Sequence, residues 1–153
     1  MAVKLTPKFK PAEFRAMMLE RVARIEQAIL LRLKRVGETY VANARTNGTY
    51  TDQTGNLRAS IGYVILKNGE QIDLKLEGTK EAKTAAEAAI KDAIADMKTR
   101  VPAGYVLIVV AGMEYAAAVE AKGKDVITAS GKIAEKQLRE ALAAIARKGA
   151  KLT

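Results

Sequence analysis

The chain reverses its direction within Tyr50-Thr-Asp-Gln-Thr-Gly-Asn-Leu-Arg-Ala-Ser-Ile61, which separates one long helical pattern from a series of shorter elements. Gly55 lies between Thr54 and Asn56, and the side chains of Thr and Asn commonly hydrogen-bond to nearby backbone in turns. We therefore predict a tight turn at Gly55, in a conformation or a packing position that a Cβ atom would make costly.

The residues after this turn combine apolar and polar side chains. Leu57 and Ile61 are apolar, whereas Arg58 and Ser60 supply a fixed charge and a hydroxyl. The stretch is therefore either a polar loop that starts a hairpin or a recognition feature held between rigid elements, where functional residues are often found. For Arg58 we consider two roles, a contact that reaches Glu120 or a solvated side chain.

Residues 11–45 carry a helical pattern. Pro11 suits the first helical position and Glu13 the first turn. One apolar stripe at helical period runs through Phe14, Met18, Val22, Ile25, Ile29, Leu33, Val36, Tyr40 and Ala44. A helix of this length, about 50 Å, extends past the sheet of a small domain, and we expect its overhang to pack on a neighbouring copy. The alternative is a kink at Gly37 that keeps the helix within the domain.

Residues 61–66 and 71–77 are predicted to form a β-hairpin. Asn68-Gly69 between them is a strong signal for a type I′ turn, which needs positive φ at both central residues. The second strand alternates apolar and polar residues, which predicts a sheet with one buried face and one solvent face. The apolar residues of this strand are Ile72, Leu74 and Leu76.

A second helix and a strongly apolar strand follow the hairpin. Residues 80–100 are predicted to form an Ala-rich helix, capped at Thr79, on which near-neighbour charges such as Glu87 and Lys91 pair with each other. Residues 104–111 are the most apolar run in the chain, and we predict that they form a central strand buried on both faces.

The C-terminal part is predicted to contain a short helical turn at 115–122, a short edge strand or extended segment at 125–127, and a last helix at 130–148. The order of elements predicts an α+β fold. In this fold a small, mainly antiparallel sheet of three or four strands packs with the long N-terminal helix, the inserted Ala-rich helix and the C-terminal helix.

A chain of 153 residues fits one domain of ordinary size. We place this single α+β domain at residues 11–148. A flexible basic arm is expected at residues 1–10 and a basic tail at residues 149–153. No apolar run reaches the roughly 18 residues of a membrane span, so we expect no membrane partner.

Two residue types that carry much catalytic chemistry are missing from the sequence. It has no Cys and no His, which removes thiolate nucleophiles, the commonest metal ligand and the usual general base at neutral pH. Glu114 and Glu120 flank Tyr115, but they are poorly spaced to share one helix face. We therefore expect a protein that is not an enzyme and that uses no metal or cofactor.

Positive charge is concentrated at the two ends of the chain. The net charge of +9 divides into +6 for residues 1–48 (ten basic, four acidic), −2 for 49–120 (eight basic, ten acidic) and +5 for 121–153 (eight basic, three acidic). Basic ends around an acidic middle allow head-to-tail contacts between copies, binding to an anionic partner, or only good solubility. The basic residues of the first helix form no clean stripe with stacking aromatics, and nucleic-acid binding is kept as the alternative function.

Two stretches resemble the neck proteins of long-tailed phages, which are tail-completion or head–tail joining proteins. Thr51-Asp-Gln-Thr-Gly-Asn-Leu-Arg-Ala-Ser-Ile61 resembles the family signature Thr-Gly-Asn-Leu-Arg-x-Ser-Ile. Ala111-Gly-Met-Glu-Tyr-Ala-Ala-Ala-Val-Glu120 resembles a later Tyr-Ala-x-x-Val-Glu segment. The order of elements also fits over most of residues 11–127. The chain departs from the family pattern in the helix at 80–100, which looks like an insertion between strands.

The resemblance implies a structural virion protein, of a phage or of a prophage in a bacterial genome, that acts without a cofactor. It implies that copies of the chain assemble into a ring, for which we consider a hexamer. This ring contacts tail terminator or connector proteins. Such a protein is found in the host cytoplasm during assembly and afterwards in the virion. The assembly motif that the resemblance implies consists of Thr54, Gly55, Asn56, Leu57, Arg58, Ser60, Tyr115, Glu120 and Asp125.

Overall fold

The computed structural model of the chain describes residues 10–150, with side chains up to residue 148. Most of the arm predicted at 1–10 and the end of the tail predicted at 149–153 lie outside the described residues. The elements are α1 (Pro11–Asn47), α2 (Asn56–Ala59), β1 (Ile61–Lys67), β2 (Glu70–Lys75), α3 (Lys80–Arg100), β3 (Tyr105–Ala111), α4 (Ala116–Ala121) and α5 (Thr128–Ala150). The predicted α+β fold is confirmed, with three antiparallel strands in the described range.

The sheet has the order β2–β1–β3, and both pairs of neighbours are antiparallel. β1 is therefore the central strand, and its first six residues are all buried. We predicted the central position for residues 104–111, and this prediction is wrong. β3 lies at an edge and is mostly half-buried. Both strands are strongly apolar, so hydrophobicity alone does not reveal which of them has two neighbours.

Helices cover both faces of β1. On one face, α1 and α5 pack in a common core with Ile61, Tyr63 and Ile65. On the other face, α3 packs against Val64 and Leu66. Because both faces are covered, β1 is a continuous apolar run rather than an alternating one.

The long helix α1 continues without a break through Gly37. A Cβ atom at this position would lie 2.9 Å from Cγ of Tyr63, so the glycine makes room for the tyrosine ring of the central strand. The alternative, in which the helix stays within the domain, is wrong, because residues 10 to 25 are exposed.

The first part of α1 projects beyond the sheet, as predicted. All residues from 10 to 25 are exposed, whereas Leu33, Val36 and Tyr40 are buried. The large apolar side chains of the projecting part are between 42% and 63% exposed, and they are Phe14, Met17, Met18, Leu19, Val22 and Ile25.

The last helix, α5, packs along α1 in the antiparallel direction. Its first turn lies near Tyr40, which donates a hydrogen bond to the carbonyl of Ile127. Its last turns lie near Ala28 and contribute Ala144 and Ile145. The helix extends two residues beyond each end of the predicted range. Residues 125–127 form an irregular connection with bends at 126 and 127, so the predicted edge strand is wrong. The predicted helical turn at 115–122 is α4.

The hairpin forms at the predicted turn, where Asn68 and Gly69 both have positive φ, 53° and 78°. The predicted burial of its second strand is wrong, because Leu74 is 39% and Ile72 is 42% exposed. Two features explain the difference. The register slips between Ile65 and its neighbour, which interrupts the alternation of β2. In addition, α3 lies over β1 and β3 and leaves β2 open.

Small residues fix the position of α3 on the sheet. A Cβ atom on Gly112 would lie 2.3 Å from the backbone nitrogen of Ala86, so the glycine after β3 permits direct contact with the helix backbone. The predicted cap of α3 is confirmed, since the Thr79 side chain accepts a hydrogen bond from the N–H of Ala82.

The charges on α3 pair differently from the prediction. Arg100 and Asp96 form an ion pair with a distance of 3.0 Å between Nε and Oδ1. Within the described residues, Glu87 and Lys91 do not form the predicted pair. Both side chains are solvent-exposed, where such a pair contributes little to stability.

Candidate assembly site

The motif turn, which we define as residues 51–61, contains the short helix α2. Gly55 precedes this helix with φ of 73°, and no atom lies within 4 Å of a Cβ built on it. The predicted cost of a Cβ is therefore conformational and not steric. Thr54 supports the turn, because its Oγ1 accepts a hydrogen bond from the N–H of Asn56 at 3.3 Å.

The Asn56 side chain joins the motif turn to the start of α3. Its Nδ2 donates to Oε2 of Glu81 at 3.0 Å, and its Oδ1 accepts from the hydroxyl of Thr79 at 3.1 Å. Thr79 is also the cap of α3. The motif turn and the inserted helix therefore share one hydrogen-bond network.

Two motif residues point into the core rather than toward a partner. Leu57 and Ser60 are each 1% exposed. The Ser60 hydroxyl donates to the carbonyl of Leu57 at 2.8 Å, so it is satisfied locally. These two residues hold the turn in place and do not offer a contact to another protein.

Arg58 braces the chain between α1 and α2. Its backbone N–H donates to Oδ2 of Asp52 at 2.8 Å, and its Nη2 donates to the carbonyls of Gly48 and Tyr50, both at 3.4 Å. The guanidinium carbon lies 5.3 Å from the centroid of the Tyr50 ring, within the range of a cation–π contact. Arg58 therefore binds the segment that precedes it.

Neither role that we considered for Arg58 describes its position. It is half-buried against its own loop rather than solvated, and the predicted contact with Glu120 is wrong. The carboxylate of Glu120 is already occupied, because Oε1 accepts from the backbone N–H groups of Val126, Ile127 and Thr128 at 2.8–3.2 Å. The guanidinium of Arg58 instead donates to the neighbouring carbonyls of Gly48 and Tyr50.

Glu120 and Asp125 organise the start of α5. Besides the three N–H groups, Glu120 accepts from the Thr128 hydroxyl at 3.1 Å. Partial burial alone would raise the pKa of Glu120, but these hydrogen bonds hold the pKa below its ordinary value. The Asp125 carboxylate accepts a hydrogen bond from the N–H of Ala129 at 2.8 Å. The backbone N–H of Asp125 donates to Oγ1 of Thr49 at 2.9 Å. This connection fixes the end of α1 to the start of α5.

Tyr115 is the large side chain of the motif that lies at the surface, with 42% exposure, and Thr54 and Gly55 are exposed as well. It lines an open cleft of about 440 Å³ together with residues of the motif turn. The other lining residues are Thr51, Asp52, Gln53, Thr54, Asn56, Leu57, Glu81, Met113 and Val119. The two resembling stretches therefore meet at this cleft, although Glu120 and Asp125 serve a separate junction.

Sequence reasoning missed one residue that holds this region together. Arg45 donates to Oε2 of Glu77 at 2.7 Å and to the carbonyl of Ile61 at 2.8 Å, so it connects the end of α1 with the start of β1 and with the segment that follows β2. Hydrogen bonds from Arg45 and then Lys75 hold the pKa of Glu77 below its ordinary value. The available signal was the basic residue in the last helical turn, which favours the helix C-terminus.

The chemistry of this region is that of a structural junction. Its polar groups are engaged in caps and cross-links between elements. Within residues 10–150, no cluster of three or more potential ligand side chains could hold a metal ion. None of the helices in that range is long and apolar enough to cross a membrane.

Comparison of the chain with models of known protein families, with curated proteins and with solved structures finds no match in any of the three.

Proposed function

We propose that the chain is a structural subunit of a phage neck that takes part in tail completion or head–tail joining. The proposal includes assembly into a ring on the tail, contacts with terminator or connector proteins, and residence in the virion. In this role the chain acts through protein–protein contacts and requires no catalysis.

The observation that carries this proposal is the projecting part of α1. A helix that leaves its domain with a row of half-exposed apolar side chains suits a protein that is completed by another chain. A ring subunit needs two unlike surfaces that meet head to tail, and the uneven charge of the chain is compatible with that requirement.

The motif turn supports the proposal in a second way. Its residues hydrogen-bond to the cap of α3, brace the end of α1 and line a cleft with Tyr115. A turn of this kind gives a rigid surface patch, and rigid patches lose little entropy on binding. The resemblance to phage neck proteins lies in the same residues.

Nucleic-acid binding is the alternative that the net charge of +9 suggests. Several of the basic groups are engaged within the fold, since Lys34 and Lys67 pair with acids and Arg58 binds carbonyls. Duplex DNA of random sequence should therefore bind weakly. Micromolar or tighter binding at physiological salt, with a steep salt dependence, would favour the alternative.

The decisive experiment is to inactivate the gene in the phage or prophage that carries it. We expect filled heads and finished tails that fail to join, visible by electron microscopy, and recovery of infectious particles when the purified protein is added to the lysate. Normal particles from the mutant would overturn the proposal. Genes for capsid, portal and tail-tube proteins next to this one are the corresponding genomic expectation.

A further inference from the structure

The projecting part of α1 exposes a face that is continuous with the core. We define the arm as residues 11–25, about 22 Å of helix. Met18, Val22 and Ile25 follow one another at helical spacing, and the same face continues to Leu33 and Tyr40, which are buried. The helix face that packs on the sheet in the second half of α1 is thus exposed to solvent in the first half.

A second apolar surface lies on the opposite side of the sheet. Leu74 of β2 pairs in register with the buried Val64, yet it is 39% exposed, because α3 does not reach over β2. A groove of about 280 Å³ runs between β2 and α3. Its lining residues are Gln71, Leu74, Glu87, Ile90, Lys91 and Ile94.

The dimensions of this groove suit one additional helix. Strands lie about 4.8 Å apart and packed helices about 8–10 Å apart. A helix placed beside α3 would therefore lie over β2 and complete the layer. The groove is lined from Gln71 to Leu74 on β2 and from Glu87 to Ile94 on α3, about 10 Å along either element. This is about the length of the arm from Met18 to Ile25.

One chain cannot fill its own groove with its own arm. The arm is the straight continuation of α1, and α1 packs on the face of the sheet that carries Tyr63. The groove is on the face that carries Val64. The occupant that the same chain can supply is therefore the arm of another copy.

One charged pair can form between the two surfaces. Arg21 lies three residues after Met18 and four before Ile25, within the apolar face of the arm. Glu87 lines the groove, as does Lys91 one helical turn later. Neither Arg21 nor Glu87 forms an ion pair with another described residue, so the two can pair across the contact.

We propose that the arm of one copy docks in the groove between β2 and α3 of the next copy. The contact is head to tail, and repetition of such a contact gives a ring when the rotation closes. This inference deepens the proposed function and rests on it only for the closure of the contacts into a ring.

Cross-linking between single cysteines tests the contact directly, because the natural chain has no Cys. Met18→Cys and Leu74→Cys are mixed in equal amounts at high salt and treated with a short bismaleimide. Gln137→Cys, on the exposed surface of α5, replaces either partner as the matched control. We expect roughly tenfold more dimer from the arm–groove mixture than from either variant alone or from the control mixtures, which is the difference that a contact of one decade in affinity produces.

A second change checks that the apolar face drives the contact. Val22→Glu, added to Met18→Cys, should lower the cross-linked yield about tenfold, since it places a charge in the groove. Val22 is 48% exposed, so the melting temperature of the double variant should equal that of Met18→Cys alone. Dimers of Met18→Cys with itself, or yields no higher than those of the Gln137→Cys controls, would overturn the inference.

The outcomes separate this inference from the proposed function. A chain that is required for head–tail joining but gives no arm–groove cross-link, either in solution or in finished particles, retains its function and loses the contact. A chain that gives the cross-link but is dispensable for joining retains the contact and loses the function.

Discussion

The hydroxyl of Tyr40 donates a hydrogen bond to the backbone carbonyl of Ile127, which lies 87 positions later in the chain. This bond joins the C-terminal third of α1 to the residue that precedes α5. Burial, followed by the carboxylates of Glu120 and Asp125, raises the pKa of Tyr40 to about 12. The phenol is therefore a neutral donor throughout the physiological pH range.

Replacement of Tyr40 by Phe should lower the free energy of unfolding by about 1–2 kcal/mol, because the carbonyl of Ile127 loses its partner in a partly buried position. Urea denaturation measures this difference. Tyr115→Phe is the control, since Tyr115 is 42% exposed, and it should be close to neutral. Equal stability of the two variants would show that the Tyr40 bond contributes nothing.

Replacement of Gly55 by Val should destabilise the motif turn. A β-branched residue at φ of 73° costs on the order of 1–2 kcal/mol, and the space around the position is open, so the cost comes from the backbone alone. Gly55→Asn is the matched control, because Asn tolerates the left-handed region better. Thermal melting should rank wild type, Asn and Val in that order. A Val variant that melts like the wild type would refute the conformational argument.

Replacement of Arg58 by Lys should also weaken the loop before α2. Lysine keeps the charge but lacks the planar group that reaches both carbonyls and stacks on Tyr50. We expect a loss of about 1 kcal/mol in the free energy of unfolding. Arg139→Lys, at an exposed i,i+4 pair on α5, should change stability by less than the measurement error. Similar losses for both variants would contradict the bracing role.

The contribution of Glu120 should depend on pH. Its pKa is lowered in the folded chain, so its stabilising effect is fully present above the ordinary pKa of 4.5 and is lost as the pH falls through the lower folded value. The difference in unfolding free energy between the wild type and Glu120→Gln should be largest near neutral pH and shrink in acid. Denaturation at a series of pH values measures it. A difference that is constant with pH would show that the charge of Glu120 is unimportant.

The isolated protein should be monomeric or weakly associated, and it should form its ring only on a tail or connector template. Copies that carry +9 repel one another, and salt screens this repulsion. Light scattering at low and high salt should show weak association that increases with salt. A salt-insensitive hexamer at micromolar concentration would refute the dependence on a template and leave the ring itself intact.

The sequence was sufficient to predict local structure where one short-range pattern controls the outcome. Asn68-Gly69 specified its turn, and Thr79 specified the start of α3, because both act through neighbouring backbone. The position of β3 was predicted wrongly because the choice of central strand depends on pairing with β1. The exposure of Leu74 depends on where α3 lies, and that position follows from the close approach of Gly112 to Ala86.

The candidate site shows the same contrast between local features, which the sequence predicts, and long-range contacts, which it does not. The turn at Gly55 could be predicted from its neighbours, whereas the partners of Arg58 and Glu120 could not. Each side chain binds backbone groups that are brought near it by the chain path, and sequence spacing does not encode that path. Arg45 was missed for this reason, since its acceptor Ile61 lies on the next element but one.

The unbroken helix α1 also acts as a lever. Its second half packs between the sheet and α5, while about 22 Å of its first half extends beyond the sheet. A tilt of about 10° of the packed half would move the N-terminal tip by about 4 Å over that length. The angle at which α1 sits on the sheet, which Gly37 and the Tyr63 ring set, therefore decides how far the tip reaches. Substitutions at Gly37 should change the geometry of anything that holds the tip, although they lie far from it.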